Sequence, residues 1–194
     1  RNDESKNRSD LLAMASGQIT KTFSVDSALQ YNQSTKKMYS ANLSTQWKPG
    51  PMKLLNAEYR YLRDASSYYN RYSAAGLAGL ISYYPDWDYM DYLYNNEIDQ
   101  IHISGQWPIG RRWYAVGQTS YSIPDHKSIE NIFGVEYNAD CWIFRLMAQR
   151  FVTSSTESNT AFFFQLELKG LSRLGSNPLN ALQRSIPGYE PLSP

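Results

Sequence analysis

Alternation is the feature that most constrains this chain. Across most of its length apolar and polar residues trade places at every second position, and helical spacing of apolar residues is poor almost everywhere. A period of two puts successive side chains on opposite faces of an extended strand. Phe23, Val25, Leu29 and Tyr31 share one face; so do Tyr39, Ala41, Leu43, Thr45 and Trp47. Leu55, Ala57, Tyr59 and Tyr61 oppose Asn56, Glu58 and Arg60. Trp142, Phe144, Leu146 and Ala148 oppose Arg145 and Gln149. Ile129, Phe133, Val135 and Tyr137 oppose Glu130 and Glu136, with Asn131 as an exception among the apolar set. About nine such segments are expected, at 9–19, 22–32, 37–47, 54–63, 97–107, 112–122, 128–138, 141–152 and 160–170. Each is near the length, about 9–11 residues, at which a tilted strand crosses a bilayer. Strands of soluble sandwiches are shorter, typically about 5–6 residues.

Composition removes most other classes. With 19 Lys+Arg against 18 Asp+Glu, no basic surface for nucleic acid emerges. A single cysteine excludes an internal disulfide framework and a CxxC metal site. Mean hydropathy is −0.55, and no apolar run is long enough for a spanning helix. A hydrophobic fraction of 42% is too high for a disordered chain. A soluble β protein and a membrane β-barrel remain, because alternation cancels in a hydropathy average. The chain opens on a polar run from Arg1 to Ser9 without an initiator Met. Either a signal has been removed or the chain is a piece of something longer, so the missing signal says nothing about compartment.

The connections favour the barrel. Turns at Lys21, Lys48–Lys53, Pro108–Arg111 and Ala139–Asp140 are short, whereas Asp64–Asn96 is long. Outer-membrane barrels pair short periplasmic turns with longer external loops. Trp47, Trp107, Trp113 and Trp142 all sit beside the short turns, as an aromatic girdle at one membrane interface requires. Strand-end aromatics in a soluble sheet are the plainer explanation. The Asp64–Asn96 loop holds Tyr68, Tyr69, Tyr72, Tyr83, Tyr84, Tyr89, Tyr92, Tyr94 and Trp87. It is expected to cap the barrel mouth or to offer a contact surface. Bacterial single-chain barrels have even strand numbers. An odd count therefore suggests part of a larger barrel, with a miscounted ten-strand barrel as the alternative.

Three blocks carry a family resemblance: Trp107-Pro108-Ile109-Gly110-Arg111-Arg112-Trp113, then Gly134-Val135-Glu136-Tyr137-Asn138-Ala139-Asp140-Cys141-Trp142, then Phe162-Phe163-Phe164-Gln165-Leu166-Glu167-Leu168-Lys169-Gly170-Leu171. In this order, and followed by Ser185-Ile186-Pro187-Gly188-Tyr189, they resemble the C-terminal barrel portion of the LptD family of outer-membrane lipopolysaccharide-assembly proteins. The resemblance is clearest from Leu55 to Tyr189. It implies an all-β, antiparallel, up-and-down transmembrane barrel of 26 strands behind a periplasmic jellyroll. Residues 1–170 would supply about the last nine strands, and 171–194 a periplasmic tail. It also implies a plug lipoprotein of the LptE type, a periplasmic bridge of the LptA type, and lipopolysaccharide leaving between the first and last strands. This is transport without covalent chemistry.

The resemblance assigns roles to particular residues. Family members usually carry two adjacent cysteines where this chain has Asp140-Cys141, so Cys141 would form one disulfide, to a part of the protein outside this chain; a buried inert thiol is the plainer reading. The segment Thr160–Gly170 would be one side of the lateral gate. Phe162, Phe164, Leu166 and Leu168 would face lipid and Gln165, Glu167 and Lys169 the lumen, although any one of them could be an ordinary wall residue. Gln46, Glu58, Arg60, Arg145 and Glu167 are candidate lumen residues, since Arg on the lipid face costs about 2–4 kcal/mol at the midplane.

Nothing points to a cofactor or to catalysis. Asp86, Asp88 and Asp91 lack the Gly and terminal Glu of an EF-hand loop. Gly76–Ile81 is apolar but far too short to span. No nucleophile elbow, phosphate loop, heptad or solenoid repeat occurs. A general porin or substrate channel is the second hypothesis. An outer-membrane hydrolase is the third, and only His102 or His126 could serve as its base.

Overall fold

The structure is a computed structural model that describes residues 10–33, 36–63, 98–139, 141–152, 158–168, 172–176 and 178–192. The Tyr-rich stretch 64–96, with its three aspartates, and the opening run to Ser9 lie outside the described residues.

Ten strands form one antiparallel sheet in chain order. They are β1 (Leu11–Thr20), β2 (Phe23–Asn32), β3 (Lys37–Gly50), β4 (Lys53–Leu62), β5 (Ile98–Pro108), β6 (Trp113–Ser122), β7 (Lys127–Asn138), β8 (Trp142–Val152), β9 (Ser158–Leu168) and β10 (Ser172–Gly175). Every segment expected from the alternation lies on a strand, because each alternating run carries its own two-faced pattern. The tenth strand is new. At four residues, Ser172–Gly175 is too short to show a period, and it falls inside the stretch expected as tail. It pairs with β9 only from Leu168↔Ser172 to Gln165↔Gly175.

The two faces of the sheet have opposite polarity. On one face large apolar side chains are exposed, Phe133 at 66% and Phe162 at 76% among them, with Leu43, Leu55, Ile103, Leu146 and Phe164. Asn131, the exception in the pattern, is satisfied on that face. Its Oδ1 accepts from Thr119 Oγ1 at 2.8 Å and from Ser128 Oγ at 2.9 Å. On the other face Gln100, His102, Ser104, Gln106, Gln118, Ser120, Glu136, Arg145, Gln165 and Glu167 are buried. A water-soluble sandwich would bury the first set and expose the second.

The polar face also carries an apolar patch of Leu54, Val116, Ile132 and Met147, with Phe163 beside it. The helix α1 (Leu179–Ser185) and the residues after it lie over this patch. Leu182 and Ile186 are fully buried there and Tyr189 nearly so. Burial of each aliphatic side chain contributes about 1.5–3 kcal/mol. Within the patch Gly134 leaves room for its strand neighbours: a Cβ there would meet Val116 Cγ2 of β6 at 2.9 Å and the Leu146 carbonyl oxygen of β8 at 3.0 Å.

Candidate functional site

The chemistry-bearing residues converge where the segment after α1 crosses the polar face. Arg145 on β8 is the centre, at 1% exposure. Register places it directly between Glu136 on β7 and Gln165 on β9. Its Nε donates to Glu136 Oε1 at 3.0 Å. One terminal nitrogen donates to Glu167 Oε2 at 2.8 Å and to Gln165 Oε1 at 3.3 Å. The other donates to the Leu192 carbonyl at 2.9 Å. The guanidinium fork suits this, since its fixed donors can serve several acceptors at once. A buried arginine without such partners would carry a desolvation penalty of several kcal/mol.

The segment after α1 supplies the remaining contacts. The Tyr189 hydroxyl donates to Glu136 Oε1 at 2.6 Å. Burial, then the nearby Glu136 carboxylate, pushes the Tyr189 phenol well above its ordinary value. Pro187 offers its carbonyl to Asn56 Nδ2 at 2.8 Å and to Gln46 Nε2 at 3.3 Å. Glu190 and Gln106 exchange two bonds: Gln106 Nε2 donates to the Glu190 carbonyl at 2.8 Å, and the Glu190 amide to Gln106 Oε1 at 3.1 Å. The Glu190 carboxylate accepts from the Met52 amide at 2.8 Å and pairs with Lys48 Nζ at 2.5 Å. These contacts hold the Glu190 carboxyl below the usual range, the Lys48 bond first and the Met52 amide second.

The candidate lumen residues Gln46, Glu58, Arg60, Arg145 and Glu167 therefore share one face, but not one site. Glu58 and Arg60 form a separate pair on β4, 2.7 Å apart, with Asn42 Nδ2 also donating to Glu58 at 3.1 Å. Phe162, Phe164 and Leu168 are exposed on the apolar face of β9 and Leu166 is half-buried, while Gln165 and Glu167 are buried opposite them. Strand β9 pairs with β8 without a break from Trp142↔Leu168 to Val152↔Ser158. On its other side β10 reaches only Gln165, and the Ser176 hydroxyl brackets Phe164 by donating to its carbonyl at 3.1 Å and accepting from its amide at 3.0 Å.

The tryptophans gather at the end of the sheet where this segment docks. Trp47 and Trp107 stack at 5.8 Å between centroids, with Lys53 Nζ 5.7 Å from the Trp107 ring. Tyr137 bridges Trp113 at 4.7 Å and Trp142 at 5.1 Å. Cys141 is an exposed free thiol next to Trp142, not a buried one.

His102 and Ser120 do meet: the Ser120 hydroxyl lies 2.7 Å from His102 Nδ1. The pair lacks what nucleophilic catalysis requires. Ser120 is fully buried in mid-strand, and among the described residues His102 Nε2 has no hydrogen-bond partner to orient the ring. No group of three or more His, Cys, Asp or Glu residues that could hold a metal occurs among the described residues.

Sequence reasoning placed Glu136 on the polar face but did not single it out, and it missed Gln106, Tyr189 and Glu190. The only trace of Tyr189 was the Ser185–Tyr189 run, and Glu190 left none. Their partners lie far off in the chain, so no local spacing reveals them.

Comparison with known proteins agrees with this geometry. Residues 1–113 match the LptD family model, described as LPS transport system D. An LPS-assembly protein LptD of Thiobacillus denitrificans is 37% identical over 187 residues, covering 96% of this chain and 21% of that protein. The Cupriavidus pinatubonensis protein of the same name is 35% identical, over 98% of this chain and 20% of its own length. That of Bordetella parapertussis is 37% identical, over 96% and 22%. The chain thus spans about a fifth of the length of these relatives. With its polarity-reversed, up-and-down sheet and more than half its length on the family model, the chain belongs to the LptD family.

Proposed function

We propose that this chain is a piece of the wall of an outer-membrane β-barrel that delivers lipopolysaccharide to the outer leaflet. The observation that carries the reading is the reversed polarity of the sheet, with Phe133, Phe162 and Phe164 outward and Arg145, Glu136 and Glu167 buried behind them. A wall of this kind offers hydrocarbon to lipid and hydrogen-bonding groups to a sugar–phosphate head. Gln46, Glu58, Arg60 and Arg145 would then line the lumen, and Trp47, Trp107, Trp113 and Trp142 the periplasmic membrane interface.

Strand β9, extended by β10, supplies one side of a lateral gate in this reading. Cargo that keeps a polar head in the lumen while its acyl chains enter lipid needs one seam that opens. Each ladder bond contributes about 0.5–1.5 kcal/mol net, so a short ladder is the natural seam, and β10 has four residues. The partners are lipopolysaccharide, a plug lipoprotein of the LptE type and a periplasmic bridge of the LptA type. Cys141 anchors a disulfide to a part of the protein outside this chain.

The test is a disulfide engineered in the full-length protein between β9 or β10 and the first barrel strand. Surface lipopolysaccharide should fall on oxidation and recover on reduction. Normal delivery through the locked seam would reject lateral exit here. A general channel, the competing reading, predicts steady ion conductance by the purified full-length protein in planar bilayers.

A further inference from the structure

Strands β1–β2, β3–β4, β5–β6, β6–β7 and β7–β8 are each joined by a few residues. Tight connections of that kind fix register through turn geometry. The β4–β5 pair has no such tie, because β4 ends at Leu62 and β5 begins at Ile98. Alternation does not set this register either. A one-residue slip would turn apolar side chains inward and is strongly disfavoured. A two-residue slip, about 7 Å along the strand, returns every side chain to its own face. It would carry Ile101 to the place of Ile103 and Gln100 to the place of His102, each on its own face.

The segment after α1 bridges this pair. Pro187 binds Asn56 of β4 through its carbonyl, and Glu190 binds Gln106 of β5 by two backbone bonds. Glu190 also holds the Met52 amide and Lys48 at the β3–β4 turn. Gly188 makes the short span between these contacts possible. Its φ is +80°, and a Cβ there would lie 2.9 Å from Gln46 Nε2. Ile186 and Tyr189 anchor the segment in the patch that contains Leu54 of β4. Asn56 and Gln106 can meet their fixed partners in one register only; after a two-residue slip one of the two would face the wrong residue.

We propose that residues 186–190 are a register clamp for the β4–β5 pair, reading strand position from the inner wall where no short turn joins the two strands. The clamp stands on this geometry alone and does not depend on the transport reading.

Paired cysteines in the full-length protein test it, with disulfide-linked peptides identified by mass spectrometry. Ala57→Cys with Ile103→Cys reports the observed register, and Ala57→Cys with Ile101→Cys reports the slipped one. With the clamp intact, only the first pair should link. When the chain is ended after Ser176, the slipped pair should link as well. Should that variant give no folded protein, Gly188→Val with Gln106→Ala loosens the clamp while leaving α1 in place, and the same gain of slipped product is expected. Slipped linkage in the intact protein, or observed-register linkage alone in a folded clamp-free variant, would overturn the proposal.

Discussion

Tyr189 donates its hydroxyl hydrogen to Glu136 Oε1 across 2.6 Å, joining residues 53 positions apart on the buried polar face. The same oxygen accepts from Arg145 Nε at 3.0 Å. One carboxylate oxygen thus couples the segment after α1 to the central arginine of the wall. The contribution of each member depends on the others, because each keeps a buried charge from standing alone.

Arg145→Ala should be the most damaging single change in this network. It leaves Glu136 and Glu167 buried without their counter-ion, and breaking a buried pair in this way costs about 3–5 kcal/mol. The temperature at which the folded protein converts to the unfolded band in semi-native electrophoresis should drop sharply. Arg145→Lys should recover only part of the loss, since an ammonium cannot reproduce the fork. Equal stability of Arg145→Ala and the parent would mean that the network is ornamental.

The two titratable groups after α1 set opposite pH limits. The folded Glu190 carboxyl lies below its ordinary range. Its contribution is therefore present above that ordinary value, about 4.3, and is lost as pH falls through the folded value. The Tyr189 phenol is raised. Its contribution is present below the ordinary phenol value, about 10, and is lost as pH climbs through the folded value. Glu190→Gln should flatten the acid limb of a stability–pH profile with only a small effect near neutrality, because Glu190 is partly solvated. Tyr189→Phe should flatten the alkaline limb and cost about 1.5–3 kcal/mol near neutrality, the range for a bond to a charged acceptor. A profile unchanged by either substitution would contradict this.

Gly188→Ala should loosen the segment. A non-glycine residue held in the left-handed region costs roughly 1–2 kcal/mol, and the new methyl meets Gln46 Nε2. Limited proteolysis should then cut between Ser185 and Leu192 faster than in the parent, while the strands stay protected.

Phe162→Arg should separate a lipid-facing wall from an aqueous one. At the centre of β9, with its ring exposed, the substitution should cost about 2–4 kcal/mol in a bilayer. Ser158→Arg, at the strand end, should cost much less. Similar costs at both positions would argue against burial of this face in hydrocarbon.

Cys141→Ser in the full-length protein should change its mobility on non-reducing gels and leave it unaltered under reduction. Cys141 is exposed, and the periplasm allows such bonds to persist. Identical non-reducing mobility would leave Cys141 a plain thiol.

The alternating pattern by itself determined where nine strands run and, for most positions, which way their side chains point, from Phe23 and Val25 on β2 to Phe162 and Phe164 on β9. Ile129, expected to face outward with Phe133, is buried instead, because the β6–β7 register shifts at that residue. The pattern could do this much because a period of two is a local property, written again in each strand and independent of what the strand pairs with. It also put Arg145 and Glu167 on the polar face opposite the phenylalanines. Tertiary structure alone decided that Arg145 is closed over by Leu192, that Glu136 receives Tyr189, and that Glu190 reaches Lys48, Met52 and Gln106. These contacts join residues from 47 to 142 positions apart, Arg145 to Leu192 at one extreme and Lys48 to Glu190 at the other, and no periodicity links such distances. Strand β10 escaped for the opposite reason: four residues hold too little pattern to read, and its place is set by the edge of β9 that it extends.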